Sequence, residues 1–196
     1  MLVTTLIPAP AKKTRKFGYR KRRTEMEQQQ PDYEKAWRMA LSVLDTYEIN
    51  TPPVPIIDIV KKEGFSVMEA DFSNLPNPNL SGFVVKNEDK KTIYVNREES
   101  FQRKRFTVAH EFGHWLLGHT DGEKYVQLCR NRSKVERTNE TIEREANFFA
   151  ANLLIPRKFL CAVLDARLGM IDNIKLAELF SVSIQAMQAR REFLGL

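Results

Sequence analysis

The segment His110-Glu111-Phe112-Gly113-His114 contains two histidines four residues apart, with a glutamate directly after the first. In an α-helix, residues four apart lie on one face, so both imidazoles can reach the same metal ion. Glu111 is rotated by about 100° from His110 and can face an open coordination position beside the ion. All three histidines of the chain fall between positions 110 and 119. The spacing therefore predicts a zinc site at which Glu111 acts as a general base.

A catalytic zinc site needs a third protein ligand, and His119 is the only histidine left to supply it. The longer ligand pattern HExxHxxGxxH would require glycine at position 117 and histidine at position 120, where this chain has Leu117 and Thr120. Gly118-His119 is more typical of a helix end followed by a loop residue. The third ligand is therefore expected in another part of the chain.

A second predicted helix carries Glu143 and Asn147 four residues apart on one face. A carboxylate there can bind the metal, and an amide one turn further can hydrogen-bond a ligating imidazole. Glu145 lies about 200° round the helix from Glu143, and its neighbour one turn on is Phe149. We therefore interpret Glu143 as the third ligand and Asn147 as the partner of a ligating histidine. Glu145, and after it Glu140, are the alternatives to Glu143.

The elements that must position these residues are helices and short strands. Helical spacing is found from Pro31, over 55–63, from Glu99 to Gly118, from Thr138 to Ile155 and over 157–168. Strand-like runs are Phe65–Ala70, Gly82–Lys86 and Thr92–Asn96, with Asn87-Glu88-Asp89-Lys90 as a hairpin connection. Polar loops are predicted at 74–79 and 120–138, and two short helices over Asp172–Leu194, broken at Ser181-Val182-Ser183. The order predicts an α+β fold with a small three-stranded sheet packed on the two site-bearing helices.

The apolar spacing also predicts which helix faces are buried. In the first helix, the expected buried positions are Trp37, Ala40, Leu41 and Leu44. In the helix that carries the two histidines, they are Val108, Phe112, Trp115 and Leu116, on the side opposite the histidines. The helix that carries the two histidines is therefore expected to turn its apolar face to the core and its polar face to an ion.

The net charge of +6 is located in the first thirty residues. They hold eight basic and two acidic side chains, two prolines and three consecutive glutamines, and we interpret them as an unfolded leader. The other 166 residues carry equal numbers of basic and acidic side chains. Because the body is neutral, the basic pI is weak support for nucleic-acid binding, and contact through the leader or the tail is not favoured.

The composition argues against several classes of protein. No stretch approaches the roughly 18 uncharged apolar residues of a membrane span, and no apolar run of signal-peptide length follows the basic N-terminus. Two cysteines are too few for a disulfide scaffold. We expect a cytoplasmic protein with a leader at 1–30, a metal-binding domain at 31–170 and a helical tail at 171–196 packed on that domain.

Two long stretches resemble a known family: Arg105–His114 (RFTVAHEFGH) and Glu143–Pro156 (EREANFFAANLLIP). Shorter similar stretches are Leu80–Phe83 and Ile93–Asn96, and Leu176–Ser183 resembles a helix-turn-helix-like piece. Together they resemble the ImmA/IrrE family of gluzincin-like metallo-endopeptidases, over roughly 35–196.

This resemblance implies a zincin-like domain with zinc, or alternatively manganese, on His110, His114 and Glu143, and with Glu111 catalytic. Position 147 is often aspartate in related gluzincins and is Asn147 here. Family members are similar in cleaving transcriptional repressors, or in lying beside helix-turn-helix antitoxins. The implied substrate is such a protein, and we expect its peptide to add to a sheet edge near the metal at Thr92–Asn96.

Two further classes of function stay under consideration. The chain could be a DNA-binding regulator whose tail reads an operator, or a toxin–antitoxin component that acts by binding, with a vestigial metal site in either case. Against DNA reading, the second tail helix, Ser183–Leu194, has only Arg190 and Arg191 as bases. Against a purely binding role stands the intact HExxH motif.

Overall fold

The computed structural model describes residues 30–75, 80–87, 90–120, 138–166 and 171–196. Its helices are α1 (Tyr33–Thr46), α2 (Ile56–Lys62), α3 (Phe101–Leu116), α4 (Thr138–Leu154), α5 (Arg157–Ala166), α6 (Asn173–Phe180) and α7 (Ile184–Leu194). Its strands are β1 (Phe65–Ala70), β2 (Gly82–Asn87) and β3 (Lys90–Asn96). The mixed α+β class and the three-stranded sheet are confirmed. Several predicted segments lie wholly or partly outside the described residues: 1–29 of the leader, 76–79 and 121–137 of the two loops, 88–89 of the hairpin connection and 167–168 of the helix predicted over 157–168.

Local capping explains where the site helix and the tail helices begin. The Ser100 side chain accepts a hydrogen bond from the Arg103 backbone N–H and so starts α3. In the tail, Ser181 adopts a left-handed conformation with φ 52° and ends α6. The Ser183 side chain then accepts from the Ala186 N–H and starts α7. The predicted break at residues 181–183 is therefore confirmed, and its cause is one capping residue on each side.

The sheet corrects the expectation for the substrate strand. Its order is β1-β3-β2, with β1 parallel and β2 antiparallel to β3. Ile93, for example, pairs with Val67 on one side and with Val84 on the other. Strand addition at Thr92–Asn96 is therefore wrong, because β3 is central and its backbone groups are already paired on both sides. The predicted hairpin identifies β2 as one neighbour of β3. The other neighbour, the parallel strand β1, lies earlier in the sequence, and no local pattern predicts that it pairs with β3.

The first helix buries a slightly different face from the expected one. Ala36, Ala40, Val43 and Leu44 are the buried residues of α1. Trp37, which was expected to be buried, is 46% exposed. Small alanines allow α1 to approach α4 closely, and a tryptophan at the contact would hold the two helices apart.

The tail belongs to the same core as the rest of the fold. Leu176, Phe180, Val182 and Met187 are buried and join the main apolar cluster. The buried Arg105 on α3 connects the tail to the rest of the fold. Its guanidinium donates to the Ser181 carbonyl in the tail at 3.0 Å and to the Val54 carbonyl at 2.7 Å. The tail therefore closes the core and does not stand apart from it.

One stretch, Glu140–Ala166, has the length and apolar composition of a membrane span. Half of its most apolar window is buried inside the protein. A core helix passes the same test, and α4 packs between α1 and α3. Packing in the core therefore accounts for the apolar character of this stretch.

Candidate metal centre

Three side chains from two helices converge at one point. The Nε2 atoms of His110 and His114 lie 3.0 Å apart. Glu143 places Oε2 3.2 Å from the His110 Nε2 and Oε1 3.5 Å from the His114 Nε2. Neighbouring ligand atoms on a tetrahedral zinc ion with bonds of 2.0–2.1 Å are separated by about 3.3 Å. The three donors therefore match one face of a zinc coordination sphere and leave a fourth position for a water molecule or a substrate.

The convergence depends on a close approach of α3 and α4. Gly113 faces Phe149 of α4, and a Cβ atom at position 113 would lie 2.6 Å from the Phe149 ring. The absence of a side chain at Gly113 thus sets how near the two helices can come. Phe112 packs edge-on against the same ring, with 6.2 Å between the centroids. The apolar contact fixes the distance across which Glu143 reaches the imidazoles.

The electrostatics of the cluster favour an ionised Glu143. Burial alone would raise the pKa of this carboxyl group, but hydrogen bonds from His110 and His114, together with their charge, outweigh burial and hold the pKa well below its usual value. A carboxylate beside two imidazoles combines a hard donor with two borderline donors, a set that suits zinc and tolerates manganese. The donors present therefore fit the divalent ion that the sequence predicts.

Asn147 contacts the far side of the first histidine. The His110 Nδ1 lies 3.0 Å from the Asn147 Oδ1. A histidine that binds a metal through Nε2 must carry its proton on Nδ1, and the amide oxygen accepts that proton in a hydrogen bond. The amide therefore selects the tautomer and the orientation of His110 that metal binding needs.

The second histidine has a partner that the sequence analysis missed. The His114 Nδ1 lies 3.0 Å from the His119 Nδ1, and the His119 Nε2 lies 2.7 Å from the Glu145 Oε2. The other oxygen of Glu145 accepts from the Asp32 N–H at 2.7 Å, at the start of α1. With His114 donating to His119, and His119 donating to Glu145, each imidazole nitrogen in the chain of contacts has a consistent role.

The signal for this contact is Gly118. Its φ of 79° turns the chain back at the end of α3. The His119 N–H then donates to the His114 carbonyl at 2.9 Å and the Gly118 N–H to the Trp115 carbonyl at 3.2 Å, which is a Schellman motif. This motif places His119 against the last turn of the helix, so the residue that was interpreted as part of a loop lies beside a candidate ligand.

The two alternative third ligands, Glu145 and Glu140, contact other side chains. Glu145 is engaged with His119 and with the start of α1, and Glu140 forms an exposed ion pair with Arg144. Burial lowers the pKa of His119, and the neighbouring His114 lowers it further, against the opposing effect of Glu145. Glu111 is buried in α3, with 1% of its surface exposed.

Comparison with known proteins adds a family and a fold. The family model described as the IrrE N-terminal-like domain, Peptidase_M78, matches residues 60–192. A solved structure of a Mycobacterium tuberculosis transcriptional regulator is similar over 81% of this chain, with 18% identity and a TM-score of 0.56. At that identity the likeness concerns the fold, and this chain covers 46% of the regulator. The comparison with curated proteins gives no match.

Proposed function

This chain belongs to the ImmA/IrrE family, since the IrrE N-terminal-like peptidase domain covers residues 60–192, and on that premise we propose that it is a zinc-dependent endopeptidase. The observation that carries the proposal is the group formed by His110, His114 and Glu143, whose ligand atoms lie within 4.8 Å of one another. Two imidazoles and one carboxylate are the ligand set of several zinc peptidases. The spacing of the donors supports one ion held between α3 and α4.

In this proposal His110, His114 and Glu143 hold the zinc ion, and Asn147 orients His110. When bound, the ion acidifies a water molecule and polarises the carbonyl of a peptide bond. Glu111 accepts a proton from the attacking water and donates it to the leaving amine. Its place in the HExxH motif, directly after His110 on α3, supports this role.

The substrate that we propose is a regulatory protein, namely a helix-turn-helix repressor or antitoxin, cleaved in the cytoplasm. Family membership supports this substrate class, because the domain is that of a peptidase family associated with regulation. The similar fold of a protein named as a transcriptional regulator is compatible with it. The proposal concerns the residues of this chain, which spans less than half of that regulator.

One observation weighs against direct DNA reading by the tail. Arg190 is 5% exposed and donates to the Ile155 carbonyl and the Asn152 side chain. Arg191 donates to the Asn173 side chain. The two bases of the second tail helix therefore face the protein, whereas a recognition helix presents its bases to the groove of DNA.

The deciding experiment is co-expression with a helix-turn-helix protein whose gene lies beside the gene of this chain, followed by mass spectrometry of that protein. We expect one cut with the native chain and, for Glu111→Gln, a loss of cleavage of about 10²- to 10⁴-fold, because the general base is removed. Zinc content should stay at one ion per chain in Glu111→Gln, since the three ligands are intact.

Glu98→Gln serves as the control, because Glu98 is an exposed glutamate just before α3. It should cleave like the native chain. Full cleavage by Glu111→Gln would show that Glu111 is not the base and would refute the proposed mechanism.

A further inference from the structure

A cleft of about 620 Å³ lies between α3, α4 and the tail helix α7. Its lining is predominantly apolar and includes Phe106, Phe148, Ala151, Val182 and Phe193. Phe193 is 66% exposed, which is unusual for so large an apolar side chain in a helix that otherwise closes the core. The volume suits a few side chains of a bound ligand.

The cleft adjoins the candidate metal centre on the side of His110 that faces away from the cluster. Asn147, which contacts the His110 ring, also lines the cleft. Phe106 stacks on the same histidine, with 6.3 Å between the ring centroids, and forms part of the cleft wall. The cleft and the candidate metal centre therefore share the walls formed by Asn147 and Phe106, one side chain away from each other.

The charges of the lining are of one sign. Three arginines, Arg103, Arg144 and Arg190, line the cleft, and no carboxylate does so among the described residues. Arg144 is paired with Glu140, whereas the hydrogen bonds of Arg103 go to the Ser81 hydroxyl. The cleft therefore offers apolar surface together with positive charge.

Arg190 adds a buried positive charge behind one wall of the cleft. It is 5% exposed, and it bonds to a carbonyl and an amide with no ion pair to a carboxylate in the described part of the chain. Burial, and then the neighbouring Arg157, lower the pKa of Arg190 to about 10, so it is still protonated at neutral pH. The charge of Arg190 therefore adds to the positive potential of the cleft, and Arg103 is the exposed arginine that a ligand carboxylate can contact.

We propose that this cleft binds a segment of the protein substrate close to the scissile bond, and that this segment combines large apolar side chains with acidic ones. The inference rests on the proposed peptidase function and names its substrate preference. A nucleic-acid backbone fits less well, because it needs rows of cations and offers little to an apolar wall.

The test measures binding without cleavage. Zinc-loaded Glu111→Gln protein is titrated with two fluorescein-labelled ten-residue peptides that share the same leucines and carry either glutamates or lysines between them. We expect the glutamate peptide to bind at least about ten-fold more tightly, as a single favourable charge contact beside an apolar wall would give. Fluorescence anisotropy gives both dissociation constants.

Two pairs of variants locate the binding in the cleft. Ala189→Trp fills the cleft from an exposed position of α7 and should weaken the glutamate peptide about ten-fold or more, whereas Gln188→Trp, on the same helix but outside the lining, should not. Arg103→Gln should reduce the preference for glutamate over lysine, whereas Arg97→Gln, an exposed arginine outside the cleft, should leave it unchanged.

The outcomes separate this inference from the proposed function. Equal affinity for the two peptides, no binding of either, or full affinity in Ala189→Trp would overturn the inference. Binding of a short DNA duplex that Arg103→Gln and Ala189→Trp weaken would replace it with a nucleic-acid site. If the native chain cleaves its substrate but shows no such preference, the peptidase function stands and the cleft proposal fails. If the glutamate peptide binds but no substrate is cut, the peptidase function fails, and the cleft is a peptide-binding site without a role in cleavage.

Discussion

At the scale of single residues, each histidine of the candidate metal centre is held by a partner on the side of the ring that faces away from the cluster. Each imidazole directs Nε2 towards the cluster, and a different partner contacts its Nδ1. Asn147 contacts His110 from α4, and His119 contacts His114 from the turn after α3. Both rings are thereby fixed before a metal arrives, which reduces the conformational entropy lost on binding.

The choice between the two glutamates of α4 can be tested by metal affinity. We expect Glu143→Ala to weaken zinc binding by more than about 100-fold, because a ligand is lost and not an outer partner. Glu145→Gln should weaken zinc binding by at most about 10- to 100-fold, since it changes only the hydrogen-bond partner of His119. Competition with a chromophoric chelator measures both constants. A larger loss in Glu145→Gln than in Glu143→Ala would mean that the third ligand is Glu145.

His119 acts on the metal through His114, and its role can be separated from general folding. We expect His119→Ala to weaken zinc binding by about 10- to 100-fold, because the His114 Nδ1 loses its acceptor. His119→Asn should recover part of this loss, since the Asn Oδ1 stands close to the position of the imidazole Nδ1. Zinc affinity and the visible spectrum of the cobalt-loaded protein report the effect. If His119→Ala binds zinc with native affinity, the contact between His119 and His114 does not contribute to metal binding.

Much of the centre follows from residue spacing, and the rest depends on chain reversal. Helical periodicity predicts that His110 and His114 share one face of their helix and that Glu143 and Asn147 share one face of another, because residues four apart share a face whatever the tertiary fold. His119 escaped prediction as a partner, since its position requires the turn at Gly118 to fold it back onto α3. Spacing within one helix is local, whereas contact across a helix end depends on how that end is capped.

At the scale of elements, the contact between α3 and α4 sets the geometry of the cluster. The sequence predicts both helices but not that Gly113 meets Phe149, because helix crossing points depend on side-chain packing over the whole interface. The same limit explains why periodicity predicts a buried Trp37, which is exposed, and does not reveal that β3 is the central strand. Periodicity identifies an apolar stripe or a strand, and the partners of each are chosen by the rest of the chain.

Gly113→Ala tests this contact directly. The new methyl group would lie 2.6 Å from the fully buried Phe149 ring. Overpacking costs about 1–3 kcal/mol and outweighs the gain of at most about 1 kcal/mol in helix propensity. We expect a lower Tm and weaker zinc binding, because the helices are pushed apart. Differential scanning calorimetry and the chelator competition measure the two effects.

A second substitution shows whether the clash is the cause. Phe149→Ala alone destabilises the core, but Gly113→Ala combined with Phe149→Ala should lose less stability than the sum of the two single variants, since alanine removes the clashing Cδ1 atom. Strict additivity would locate the effect of Gly113→Ala away from Phe149.

At the scale of the whole molecule, the candidate ligands join parts of the chain that are distant in sequence. His110 and His114 lie in α3 and Glu143 lies in α4, while Glu145 links α4 to the start of α1 through Asp32. A metal ion held by these helices would therefore clamp the centre of the fold. Because an unfolded chain has no preformed site, the free energy of metal binding is added to the free energy of unfolding.

Zinc addition should consequently raise the thermal stability of the whole chain. At a free zinc concentration of about 100 times Kd, the gain is about 2.7 kcal/mol, which corresponds to a rise in Tm of about 5–10 °C for a domain of this size. A chelator should reverse the rise. Glu111→Gln should show the same rise, since it keeps the three ligands, and Glu143→Ala should show little of it. A rise of equal size in Glu143→Ala would mean that the stabilising ion binds elsewhere, because the clamp between α3 and α4 needs the carboxylate at residue 143.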